Sequence, residues 1–346
     1  MPPSCAMQSP ISKRHWYKQR QSGFTIVELL VATAVLMLLM ALLLSALNSS
    51  MTIWTRGASK IQSFQQARAA YEAMTRKISQ ATLNIYWDYD TNSSGNPTGY
   101  KRQSELQFLS GPSANILPGA GNSRTHSVFF VAPLGYATTT TNLQSLLNAC
   151  GYYLDFGPDS PPSPLTASDA KSRFRLMELW QPTESLGIYG ANKPSGSPAS
   201  TWYSTNGASM LAENIIALII RPRLPQREDP NGNALVTSSG FIYNSVATNS
   251  FTATNSSGAL STGNTLHQLP PVVQVTVVAI DERSALRNAN GTLMPDYGVT
   301  NFSQLFTTPA DFQQDLKTLE SGLISKNITY QVFDTLVPLE GAKWSR

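Results

Sequence analysis

The stretch SGFTIVELLVATAVLMLLMALLLSAL, Ser22 to Leu47, is apolar almost without interruption, yet it carries one carboxylate, Glu28. From Phe24 to Leu47 it offers 24 residues. At about 1.5 Å per residue a helix of that length crosses a hydrocarbon core about 30 Å thick. Lys13, Arg14, Lys18 and Arg20 precede it with no acid among them. They account for the whole net charge of +4, because 21 basic and 21 acidic residues balance beyond Gly23. The positive-inside rule therefore places the N-terminus in the cytoplasm and everything after Leu47 outside. A secretory signal has a shorter apolar core closed by a small-residue cleavage site, which is not the layout here.

A carboxylate deep in a bilayer costs about 2.5–3.5 kcal/mol even on a lenient scale, so such groups usually have a partner. Two readings of Glu28 follow from the residue alone. It pairs with a cation on another chain, or it sits near the cytoplasmic end of an ordinary anchor and reaches the headgroups.

Gly23, Phe24, Thr25 and Glu28, within GFTIVELL, follow a basic leader and open an unbroken apolar run. Together they resemble the processing site of type IV prepilins. The resemblance implies that prepilin peptidase, a membrane aspartic peptidase, cuts between Gly23 and Phe24 and N-methylates the new Phe24 amine. It also implies that Glu28 guides docking between subunits. A freed amine has a reference pKa of about 7.7–8.0 and is a suitable cation for a neighbouring Glu28. Partners expected on this basis are the peptidase, other pilins or pseudopilins met through the helix, and inner-membrane lipid. One departure from many pilins is the lack of a Pro about twenty residues into the mature helix, where Ser45 stands.

The helical pattern continues past the membrane. Trp54, Ala58, Ile61, Phe64, Ala67, Tyr71, Met74, Ile78, Ala81 and Ile85 recur at steps of three and four, which makes one apolar stripe. Arg56, Lys60, Gln65, Arg68, Glu72, Arg76 and Lys77 fall mostly on other faces. No Pro interrupts Phe24–Tyr86, and Gly57 is its only Gly. The expected layout is a leader over 1–23, a transmembrane half-helix over 24–47, an amphipathic half over 48–86 and a β-rich head over 87–346. The stripe from Ile61 to Ile85 is expected to pack on that head.

DYDTNSSGNPTGYKRQ, Asp88 to Gln103, reads as a turn-rich break. Short β-prone runs follow: 105–109, 127–136, 151–156, 173–182, 213–224, 272–281 and 328–339. Val273, Val275, Val277 and Ala279 alternate with Gln274, Thr276 and Val278, as in a strand with one buried face. Long polar insertions over 158–172, 183–209 and 231–269 read as exposed loops. Near the end, Thr308 as cap, Pro309 and Asp311 open a helix with Phe312, Leu316, Leu319 and Leu323 on one face. The fold class is thus α+β and pilin-like, a long N-terminal helix on an antiparallel sheet. The head resembles the J-type minor pseudopilins of type II secretion and the W-type minor pilins. YQVFDTLVPLEGAKWS together with LPPVVQVTVVAIDERSA is similar to the prepilin-like Verru_Chthon cassette proteins of type C.

Chemistry is sparsely signalled. The histidines are His15, His126 and His267, without ligand-spaced partners, and no catalytic or phosphate-binding motif occurs. Asp281 and Glu282 precede Arg283 and read as a surface ion pair. DYDTNSSG from Asp88 and DPNGN from Asp229 admit a calcium-loop reading or plain Asx turns. Arg221, Arg223 and Arg227, set among Pro222 and Pro225, read as a solvated strand end or as a patch for DNA or anionic surfaces, although the overall charge does not suggest a nucleic-acid-binding surface. With Cys5 in the leader, Cys150 is left alone after processing, so no disulfide within the mature chain is expected. The expectation is a non-enzymatic subunit with no cofactor, catalytic group or metal. The alternative is a membrane-tethered binding protein or adhesin that does not polymerise.

Overall fold

The computed structural model describes residues 23–117, 123–139, 145–158, 171–189, 202–204, 206–236, 240–247, 250–288, 294–300 and 302–343. The basic leader, with Cys5 and His15, lies outside them, as do most of 158–172 and much of 183–209.

The described chain is α+β. It opens with α1 (Ile26–Ser79), then a hairpin of β1 (Tyr86–Thr91) and β2 (Pro97–Gln103). After β3 (Leu109–Pro112) and the single-turn α2 (Ser113–Ile116) come β4 (His126–Pro133), β5 (Leu147–Pro158) and β6 (Ser172–Gln181). Next are β7 (Ser209–Glu213), β8 (Ile215–Arg223), β9 (Tyr243–Asn244), β10 (Ser250–Thr254) and β11 (Leu260–Asn264). The chain closes with β12 (Val272–Ile280), α3 (Glu282–Asn288), α4 (Phe312–Ser325) and β13 (Tyr330–Pro338). Two sheets carry the head: six strands in the order β7-β6-β5-β4-β3-β9, and three in the order β13-β12-β8. Every pairing in them is antiparallel.

Compact packing divides the chain near Arg56, giving an N-terminal unit and a head from Gly57 onward. Within the head, Ala67, Ala70, Tyr71, Met74 and Ile78 of α1 are buried in the main core. Tyr71 donates its hydroxyl to the Val275 carbonyl at 3.0 Å, and its ring stacks on Phe333 with centroids 5.5 Å apart. Lys77 lies 4.0 Å above the Trp180 ring and 2.7 Å from Glu178. Glu178 also accepts the buried Tyr152 hydroxyl. The helix is thereby fixed to both sheets. The stripe begins to dock at half-buried Phe64 and buried Ala67, whereas Ile61 is exposed.

Several expectations are corrected. The helix ends at Ser79, not Tyr86. Thr82 donates to Val131 of β4 at 2.8 Å, so strand-like bonding to the sheet takes over while Ala81 and Leu83 still face the core. Asp88–Gln103 is a hairpin with a short turn rather than an irregular break. In 105–109 only Leu109 is strand. Residues 231–269 include three short strands, and Trp202, inside the expected loop 183–209, is buried against Phe129.

Strand β12 is covered on both faces, not one. Val273, Val275 and Val277 face the core that holds α1. Val278 and Ile280 face a second core built with Phe312, Leu319 and Leu323 of α4. Gln274 and Thr276 survive burial because both donate to Asp334, as buried polar groups must. Thr308 makes no side-chain cap; a single 3-10 turn over Pro309–Asp311 leads into α4 instead. Asn214 is one of the residues that join the sheets. With φ at +61°, a conformation Asn tolerates better than most residues, it donates to Phe174 of β6 at 2.8 Å and accepts from Ile280 of β12 at 2.9 Å.

Candidate membrane anchor and processing site

Gly23, Phe24 and Thr25 precede the first helical residue, Ile26. Thr25 closes the helix start twice. Its carbonyl accepts from Leu29 N–H at 3.1 Å, and its Oγ1 accepts from Glu28 N–H at 3.2 Å. That places Thr25 as N-cap and Glu28 three residues on, the spacing of a capping box. The signal is present in the sequence as T-x-x-E, Thr25 to Glu28, a feature absent from the expectations for this segment. The peptide bond between Gly23 and Phe24 therefore lies outside the helix, and Phe24 is 80% exposed.

From Gly23 to Gln62 every described side chain is exposed. Nine leucines between Leu29 and Leu47 are among them. Burying a leucine is worth about 1.5–3 kcal/mol, so leaving nine in water forfeits about 15–25 kcal/mol. That exceeds the usual net stability of a domain, about 5–15 kcal/mol. The segment requires a non-aqueous surrounding, and α1 is long and apolar enough to cross a membrane.

The remaining polar candidates lie in the head. His126 is fully buried. Its Nδ1 accepts from Ile220 N–H at 3.0 Å, which leaves the proton on Nε2, donated to the Phe306 carbonyl at 2.8 Å. Burial pushes its pKa down to about 4. Cys150 is buried and free, and burial raises its thiol to about 12. Glu282 pairs not with Arg283 but with Arg173, at 2.9 Å, and Arg173 also meets Glu213 at 2.7 Å. Asn92 Oδ1 accepts from Ser94 and Asn96 N–H in the β1–β2 turn. Asp229 accepts from Gly232 and Ala234 N–H. Both calcium-loop candidates are thus formed as Asx-type turns. His267 is buried with φ at +51°. Arg221 is no solvated strand end, being only 7% exposed.

A family model, the prokaryotic N-terminal methylation motif, matches residues 18–44. That segment holds Gly23, Phe24 and Glu28, and the match supports a type IV prepilin-like protein. The motif and the apolar helix are together consistent with membrane anchoring. No curated protein and no solved structure matches the chain.

Proposed function

We propose that this chain is a non-enzymatic minor pilin or pseudopilin of the J- or W-type. Prepilin peptidase cuts it between Gly23 and Phe24 and methylates the new amine. The mature chain spans the inner membrane once, N-terminus cytoplasmic, with its head periplasmic or extracellular. It then joins a type IV pilus or a type II secretion-like pseudopilus by helix-to-helix packing, with Glu28 facing the Phe24 amine of a neighbouring subunit. One observation carries this reading: the methylation motif falls on a helix start where the Gly23–Phe24 bond is free of the helix and where, among the described residues, the apolar side chains that follow are exposed.

Intact mass of the membrane form is the test. The expected chain begins at Phe24 and carries one extra methyl group. A chain that still begins at Met1 in cells containing the peptidase sinks the proposal.

The second reading, a tethered binding protein that never polymerises, draws on the β1–β2 hairpin. There Trp87, Tyr89 and Tyr100 are exposed, and the two tyrosine rings lie 5.2 Å apart. In-cell crosslinking separates the two: a ladder through helix positions supports assembly, and monomer alone supports the tether.

A further inference from the structure

At the end of β8, Arg221 and Arg223 line a cavity of about 440 Å³ together with Asn231, Asn233, Phe312 and Gln313. Arg221 is more than nine-tenths buried. Its Nη2 is held by the Asn231 carbonyl at 3.0 Å and by Asn233 Oδ1, and its guanidinium lies 5.5 Å from the Phe312 ring centre. Arg221 and Arg223 then share one neutral acceptor, Gln274 Oε1, at 3.5 and 3.3 Å. The Nε atoms of both arginines are buried with no hydrogen-bond partner.

No ion pair among the described residues includes either arginine. Two acids nearby, Asp229 and Asp334, favour the charged form of Arg221 through space, and their hydrogen bonds go to neutral donors. Asp334 accepts from Gln274 and Thr276, and Asp229 accepts from two backbone N–H groups of its own turn. Two like charges this close, one of them buried, are costly unless an opposite charge joins them. Burial, and then the adjacent Arg223, push the Arg221 pKa down to about 10 despite the opposing pull of Asp229 and Asp334. The backbone makes room for the pair. Gly232 has φ at +66°, and a Cβ there would lie 2.0 Å from Arg223 Nε.

We propose that this cavity binds an oxyanion carried on a hydroxylated molecule of monosaccharide size, a uronic acid or a sugar phosphate. The guanidiniums supply charge-assisted donors that suit a carboxylate or phosphoryl group. The amides of Asn231, Asn233 and Gln313 suit hydroxyls, and Phe312 suits the apolar face of a ring. This site is independent of the processing and assembly of the N-terminal helix.

The test uses the full chain in detergent micelles and four probes: glucuronate, glucose 6-phosphate, glucose and inorganic phosphate. Calorimetry or ligand-observed NMR is expected to show saturable binding of glucuronate or glucose 6-phosphate and none of glucose, with the tighter of the two naming the oxyanion. Arg223→Gln is expected to weaken binding at least tenfold. Gly232→Ala is expected to do the same while keeping every charge. Melting curves confirm that each variant is folded. Failure of both charged sugars to saturate, or unchanged affinity in both folded variants, overturns the site. Inorganic phosphate binding as tightly as either sugar overturns the sugar carrier.

Discussion

Glu28 has its backbone N–H held by Thr25 within its own chain, while its carboxylate remains exposed. An acid in the first turn favours the helix by about 0.3–1 kcal/mol through the dipole, a contribution that needs no neighbour. Glu28→Ala is expected to be processed and inserted, yet to be under-represented in sheared fibres when co-expressed with wild type. Glu28→Gln keeps the size and removes the charge; if it assembles as well as wild type, pairing with an amine is refuted. His126 illustrates the opposite kind of residue. Its folded pKa, about 4, is below the ordinary value near 6.5. The unfolded chain therefore binds the extra proton first. This group's contribution is fully present above about pH 6.5, falls as pH drops toward 4, and is worth on the order of 3 kcal/mol. Chemical denaturation across that range is expected to show a steeper acid loss in wild type than in His126→Gln, a comparison that cancels carboxylates common to both. GFTIVELL was legible because its parts are neighbours in sequence. The setting of His126 was not, because its partners lie 94 and 180 residues away.

Helix α1 was legible as an element because a stripe at three and four spacing is a local pattern, though its end was not. Ser79 is the last helical residue because Thr82 finds β4, a long-range partner that no periodicity reveals. The β1–β2 hairpin escaped for a related reason: it has no buried face, so the apolar-polar alternation that marks strands is missing. The double covering of β12 depends on α4, which lies far along the chain. A charged contact that docks α1 is also long-range. Lys77 and Glu178 meet 101 residues apart, with side chains 21% and 8% exposed. Removing one partner of such a pair leaves an uncompensated charge and costs about 3–5 kcal/mol when burial is complete; the partial exposure of Lys77 lowers this to about 2–4 kcal/mol. Lys77→Met alone is expected to lower stability by that amount in urea denaturation. The double variant Lys77→Met with Glu178→Met is expected to recover at least half of it. A double variant no better than the single one would assign the loss to packing.

The whole molecule divides where its side chains change their surroundings, near Gly57. A fragment of residues 57–346 retains the α1 residues that complete the head core and is expected to be soluble, folded and cooperative in its melting. A fragment of residues 80–346 lacks Ala67, Ala70, Tyr71, Met74 and Ile78 and is expected to aggregate or melt without a transition. Circular dichroism of the two decides it, and a well-folded 80–346 would mean that the helix only leans on the sheets. The same arrangement limits how the head can be shed. If the apolar run lies in lipid, the exposed residues before Phe64 are the accessible place for a protease to nick the chain. A nick there frees an intact particle into the medium. One placed past Ala67 spills the core of whatever it releases, so limited digestion of vesicles should yield soluble fragments whose first residue falls before the docked turns.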